Sequence, residues 1–132
     1  MAIGNYNHFP EIAVAMHKAL SQVVRKTAMD IQASAASKAP VDTGFLRNSI
    51  YVVTSESSTY KGGGKSLSEV TKPEDDLTAY VAVGANYGVY VNYGTRHMPA
   101  QPFWEPAIEE AKPGFQAALD AIETKIKGLI EL

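Results

Sequence analysis

Ala39-Pro40-Val41-Asp42-Thr43-Gly44-Phe45-Leu46-Arg47-Asn48-Ser49-Ile50-Tyr51-Val52-Val53-Thr54 is the stretch on which the fold turns. Before it, apolar residues recur every three or four positions. At its end they become β-branched, aromatic and contiguous. Pro40 halts the helical pattern, because a proline pushes its predecessor out of the α region. Asp42 or Thr43 can then cap a short helical turn through a side-chain oxygen, with Gly44 relaxing the backbone inside it. Ile50 to Thr54 reads as a strand.

Upstream of this stretch, the spacing predicts a helix over 10–38. Ile12, Met16, Leu20, Val23 or Val24, Thr27, Ile31 and Ala35 form one stripe, and Lys18, Gln22, Arg25, Lys26 and Gln32 fall mainly elsewhere. At 1.5 Å per residue such a helix is about 40 Å long, which is long for 132 residues. Part of it is expected to project or to pack on a neighbouring subunit. Downstream, Leu77 to Gly84 alternates with period two and predicts a second strand. The intervening stretch from Ser55 to Asp76 is polar and offers almost nothing to a core, so it reads as a mobile hairpin arm that orders on a partner. Asn86 to Thr95 is open between a strand, on the alternation of Val89, Val91 and Tyr93, and one or two helical turns. A second amphipathic helix runs over 103–131, with Pro113-Gly114 predicting a kink or two pieces. The expected class is therefore α+β in one domain spanning 1–132: a small antiparallel sheet packed against a long N-terminal and a kinked C-terminal helix.

Composition narrows the function. A formal net charge of −2 supplies no clustered cations for phosphate contacts. With no cysteine, disulfides and thiolate metal sites are excluded. No apolar run reaches the roughly 20 residues that span a bilayer, and the first ten residues lack a secretory signal pattern. A soluble chain made in the cytoplasm, with no membrane partner, is expected.

The sequence assembles no catalytic constellation. Gly62-Gly63-Gly64-Lys65-Ser66 has the end of a phosphate-binding loop, but Thr59 stands where that motif needs its first glycine. No buried strand precedes it and no helix follows. His8, His17 and His97 have no carboxylates at ligand spacing. No Gly-x-Ser-x-Gly elbow exists. Neither an enzymatic activity nor a cofactor is expected. Phe103 and Trp104, following Pro102, either seal the core or anchor a subunit contact.

Three motifs in order carry a family resemblance. They are Ala39-Pro40-Val41-Asp42-Thr43-Gly44-Phe45-Leu46-Arg47-Asn48-Ser49-Ile50, then Tyr87-Gly88-Val89-Tyr90-Val91-Asn92-Tyr93-Gly94-Thr95, then Met98-Pro99-Ala100-Gln101-Pro102-Phe103. Together they resemble the small neck or tail-completion proteins of long-tailed phages. Gly88 stands where that family usually has alanine, and Asn92 where it usually has glutamate. The resemblance implies a virion protein at the head–tail interface, assembled in the host bacterial cytoplasm. It would form a six- or twelve-fold ring between the head connector and the tail tube or tail-terminator proteins, with DNA passing unbound through the lumen. The rival within this class is a tail terminator or minor tail component. The rival outside it is a small ligand- or nucleic-acid-binding domain.

On this reading the motif residues are structural. Asp42 and Arg47 pair across the turn, Gly44 and Gly94 permit tight backbone, Tyr90, Thr95 and Pro102 belong to the same framework, and Phe103 plugs the sheet–helix seam. The expected partner contacts are Tyr60, Lys61, Gly62, Gly63, Gly64 and Lys65 on the arm, together with Trp104.

Overall fold

The computed structural model describes residues 9–40, 44–59 and 72–130. The chain is α+β, with helix α1 over Phe9–Lys38, short α2 over Gly44–Asn48, strands β1 over Ile50–Val53 and β2 over Tyr80–Val83, short α3 over Gly88–Tyr93 and long α4 over Trp104–Ile130. The sheet is a two-stranded antiparallel pair in which Ile50 faces Val83 and Val53 faces Tyr80.

Helix α1 is rich in alanine and straight-chain residues, which lose little side-chain freedom in a helix. Ala28, Ala35 and Ala39 are buried. They lie close to one face, and their small side chains let the sheet and α4 approach closely. Ala39 donates its N–H to the Ala35 carbonyl at 2.9 Å, closing the last turn before Pro40. Helix α4 lies antiparallel to α1: Ser34 and Lys38 near the end of α1 both bond Glu110 near the start of α4. The main core lies where these helices meet the sheet, with Leu46, Ile50, Ala85, Val91, Phe103 and Ala107 closing around the α1 alanines. Tyr51 and Val53 point to the opposite face and pack with Ala82.

Burial stops well short of the helix ends. Among the described side chains, none before Ala28 in α1 and none after Ala107 in α4 is fully buried. The two helices therefore extend past the sheet as a pair whose contact is only half-buried. Helix α4 is one element rather than two pieces. Pro113 cannot donate to the Glu109 carbonyl, yet it and Gly114 lie on the exposed side and the helix continues through them.

Two sequence expectations are corrected in the middle of the chain. The second strand is shorter than Leu77–Gly84, because the Asp75 carboxylate accepts from the Leu77 N–H at 2.8 Å and the Thr78 hydroxyl at 3.1 Å. A turn closed by an aspartate side chain competes with strand pairing. The polar stretch, too, is not wholly apart from the folded body. Thr59 returns along β1, donating its N–H to the Val52 carbonyl at 2.9 Å and accepting the Val52 N–H at its side-chain hydroxyl at 2.9 Å. Pro73 is buried, and Asp76 accepts from Ser55 and lies 3.4 Å from His17 of α1. Both described ends of the stretch are thus tied down, while Tyr60 to Lys65 lie outside the described residues.

Candidate interaction surface

The segment open between strand and helix is helix α3, and its burial explains the ambiguity. Val91 and Asn92 face inward, whereas Val89, Tyr90 and Tyr93 are 63%, 59% and 67% exposed. Alternating apolar residues at 89, 91 and 93 imitate a strand, but only the middle one is buried. Phe45 of α2, 53% exposed, stands near Tyr87 with ring centroids 6.2 Å apart. Exposed aromatic and apolar side chains are thereby concentrated at the end of the sheet where β2 leads into α3. Such concentrations mark contact surfaces more often than isolated apolar residues do.

This surface is held in place by two locks. The first is Asn92, which is buried. Its Oδ1 accepts the backbone N–H groups of Phe103 and Trp104, each at 3.1 Å, at the very start of α4. Its Nδ2 donates to Glu105 Oε2 at 2.8 Å, and Glu105 Oε1 accepts the Tyr93 hydroxyl at 2.7 Å. A side chain from α3 therefore caps α4, satisfying donors that a helix start leaves without intrahelical partners. The Tyr93 hydroxyl, followed by the Asn92 amide, holds the Glu105 carboxyl below its usual value, and Glu105 pushes the Tyr93 phenol up.

The second lock is the turn after α3. Gly94 has φ +79°, and a Cβ there would lie 2.7 Å from the Ala100 backbone nitrogen. Thr95 and Met98 exchange backbone hydrogen bonds of 2.8 and 3.2 Å, and Gln101 donates to the Val91 carbonyl at 2.8 Å. The chain folds tightly back from α3 to α4. Gly88 also permits close packing, since a Cβ there would meet Val83 Cγ1 at 2.8 Å.

The other residues named from the sequence sit as follows. Phe103 is fully buried among the core residues, and Trp104 is half-buried and edge-on to it at 6.4 Å. Pro102 is exposed just ahead of them, and Tyr90 lies on the outer face of α3. Thr95 accepts the His97 N–H at 3.2 Å. A Cβ at Gly44 would meet nothing within 4 Å, and its φ is not positive. Arg47 is half-buried and donates to the Ala39 carbonyl at 3.4 Å. Its proposed partner Asp42 lies outside the described residues.

Sequence reasoning gave no role to Gln32 or Ser49 and marked Asn92 only as standing where glutamate is usual. Buried Ser49 donates to the Leu46 carbonyl at 2.8 Å, accepts the Ala85 N–H at 3.1 Å, and accepts the Gly84 N–H through its carbonyl at 2.9 Å. It joins α2, β1 and the end of β2. Only its place in the Leu-Arg-x-Ser-Ile motif marked it.

Among the described residues no group of three or more His, Asp or Glu is placed to hold a metal ion. No described helix is long and apolar enough to cross a membrane. The fold and surface define a small α+β protein with an exposed aromatic face held rigidly by its own core. The family model described as "Bacteriophage HK97-gp10, putative tail-component" matches residues 7–94, two-thirds of the chain, and the chain belongs to that family. It is accordingly a bacteriophage tail component and a protein of the virion. Searches of curated proteins and of solved structures returned no match.

Proposed function

We propose that this chain is the neck or tail-completion subunit of a long-tailed phage, forming a ring that joins the head connector to the tail tube. Its family supplies the tail-related role. The observation that carries the finer reading is the α3 face. Phe45, Val89, Tyr90 and Tyr93 are all more than half exposed on a chain of 132 residues. Leaving that much apolar surface open costs solubility unless another protein covers it. A closed ring needs two different complementary patches on each subunit, and the half-buried pair of helix ends supplies further surface away from α3.

In this role the protein works by association and positioning. Six or twelve copies would surround the channel, with Trp104 and the stretch around 60–65 adding contacts to the connector, terminator or tube. A net charge of −2 gives the channel wall little hold on passing DNA. The test is a phage with this gene deleted. The proposal expects filled heads and complete tails that accumulate unjoined, and purified protein added back should join them. Tails of abnormal length from the same deletion would instead identify a terminator.

A further inference from the structure

The two ends of the small sheet carry different surfaces. At the α3 end, Val83, Gly88, Val89, Tyr93, Phe103 and Trp104 line a mainly apolar groove of about 210 Å³. A dry cavity of about 150 Å³ can hold a benzene ring, so one branched apolar side chain fits. Arg96 and His97 are exposed in the turn that follows α3, three and four residues after the groove residue Tyr93. At the opposite end, Glu74, Asp75 and Asp76 precede Leu77, which is 42% exposed. The Asp75 carboxylate pins the Leu77 backbone in its turn, and the side chain, while part-exposed, borders a groove with Val24, Ile31 and Phe115 of its own chain.

We propose that the groove beside α3 takes the Leu77 turn of a second copy, with the copies arranged head to tail. Charge complementarity selects this occupant. Arg96 meets a turn bearing Glu74 and Asp75; the described cations beside that turn are Lys72 and Arg25, and Arg25 is paired with Glu56. Asp75 is engaged by Leu77 and Thr78 and Asp76 by Ser55 and His17, so Glu74 is the carboxylate that pairs with Arg96. Glu105, whose partners Tyr93 and Asn92 line the groove, keeps its negative charge, and those two bonds fix where that charge sits. The outer edge of β2, between the two patches, has no strand partner among the described residues, whereas β1 is covered by Thr59. A neighbour docked along that side would shield the open edge. Donor and acceptor patches differ, so the contact is heterologous and can close a ring.

The inference rests on the ring reading, and one experiment separates the two. The chain has no cysteine, so Leu77→Cys with Val89→Cys adds the only two thiols. Assembled particles carrying this pair are treated with a short thiol cross-linker and resolved under denaturing conditions. A ladder of dimers, trimers and higher multimers is expected, with no multimer beyond a dimer in either single variant. Particles that assemble but give no ladder overturn the docking arrangement and leave the ring intact. A chain present as isolated single copies overturns the ring itself. Independently, Arg96→Glu should lower incorporation into particles about tenfold, and adding Glu74→Lys should restore it. Failure of the second change to restore assembly contradicts the pairing.

Discussion

The Gln32 side-chain amide donates to the Ile50 backbone carbonyl at 2.9 Å, so a polar residue of α1 finishes the outer edge of β1. The same nitrogen lies 3.4 Å from Thr59 Oγ1, which itself takes the Val52 N–H. A two-stranded sheet has edges on both sides, and an unpaired buried carbonyl costs about 1–3 kcal/mol. Gln32 and Thr59 remove that cost on one side.

Gln32→Leu is therefore expected to destabilise the fold by about 1–2 kcal/mol, read as a lower urea midpoint. Gln22→Leu, on an exposed position of the same helix, should stay within about 0.5 kcal/mol. Equal effects would show that the Ile50 bond contributes nothing.

Two glycines should respond with opposite signs. Gly94→Ala forces a side chain into a positive φ and against the Ala100 backbone, and should cost about 2 kcal/mol or more. Gly114→Ala meets nothing within 4 Å inside α4 and should stabilise by about 0.5–1 kcal/mol. Thermal unfolding of the two variants checks both signs.

Asn92→Asp keeps an acceptor for the Phe103 and Trp104 N–H groups but replaces the Glu105 donor with a second carboxylate. The single change should destabilise, and adding Glu105→Gln should recover most of the loss. A double-mutant cycle reads this coupling, which should exceed about 0.5 kcal/mol. Additive effects would mean that Asn92 and Glu105 do not interact.

Acid should weaken the tie between α3 and α4. Glu105 and Glu110 both lie below the usual glutamate value of 4.5, Glu105 through Tyr93 and Asn92, Glu110 through its bond to Lys38 and the Lys38 charge. A carboxyl depressed in the folded state adds stability that is complete above its unfolded pKa and disappears as pH falls through the folded one. Stability should thus decline as pH drops below about 5, and Glu105→Gln should flatten that decline. A Glu105→Gln profile parallel to wild type would contradict the assignment.

The parts of this fold legible in the sequence are those fixed by long periodicity. The α1 stripe, the β-branched run at Ile50 and the α4 stripe each repeat often enough to declare their class. Short elements were less readable. Helix α3 has a single inward turn, so Val89-Tyr90-Val91 serves either period, and tertiary contacts of Val91 and Asn92 decide. The extent of β2 depended on one carboxylate, Asp75, whose turn no hydrophobic pattern reveals. Gln32 and Asn92 act on partners 18 and 11 residues away in the chain, and both look like ordinary surface polar residues until the fold brings those partners close. Tyr90 and Tyr93 stand within a sequence motif, but their exposure is visible only in three dimensions.

Cryo-microscopy of intact particles of the phage that encodes this chain tests the central claim most directly. The account predicts a closed ring of this fold between connector and tail tube, with Tyr90 and Tyr93 of each copy covered by its neighbour. Density for single, separated copies, or a location away from the head–tail junction, would contradict it.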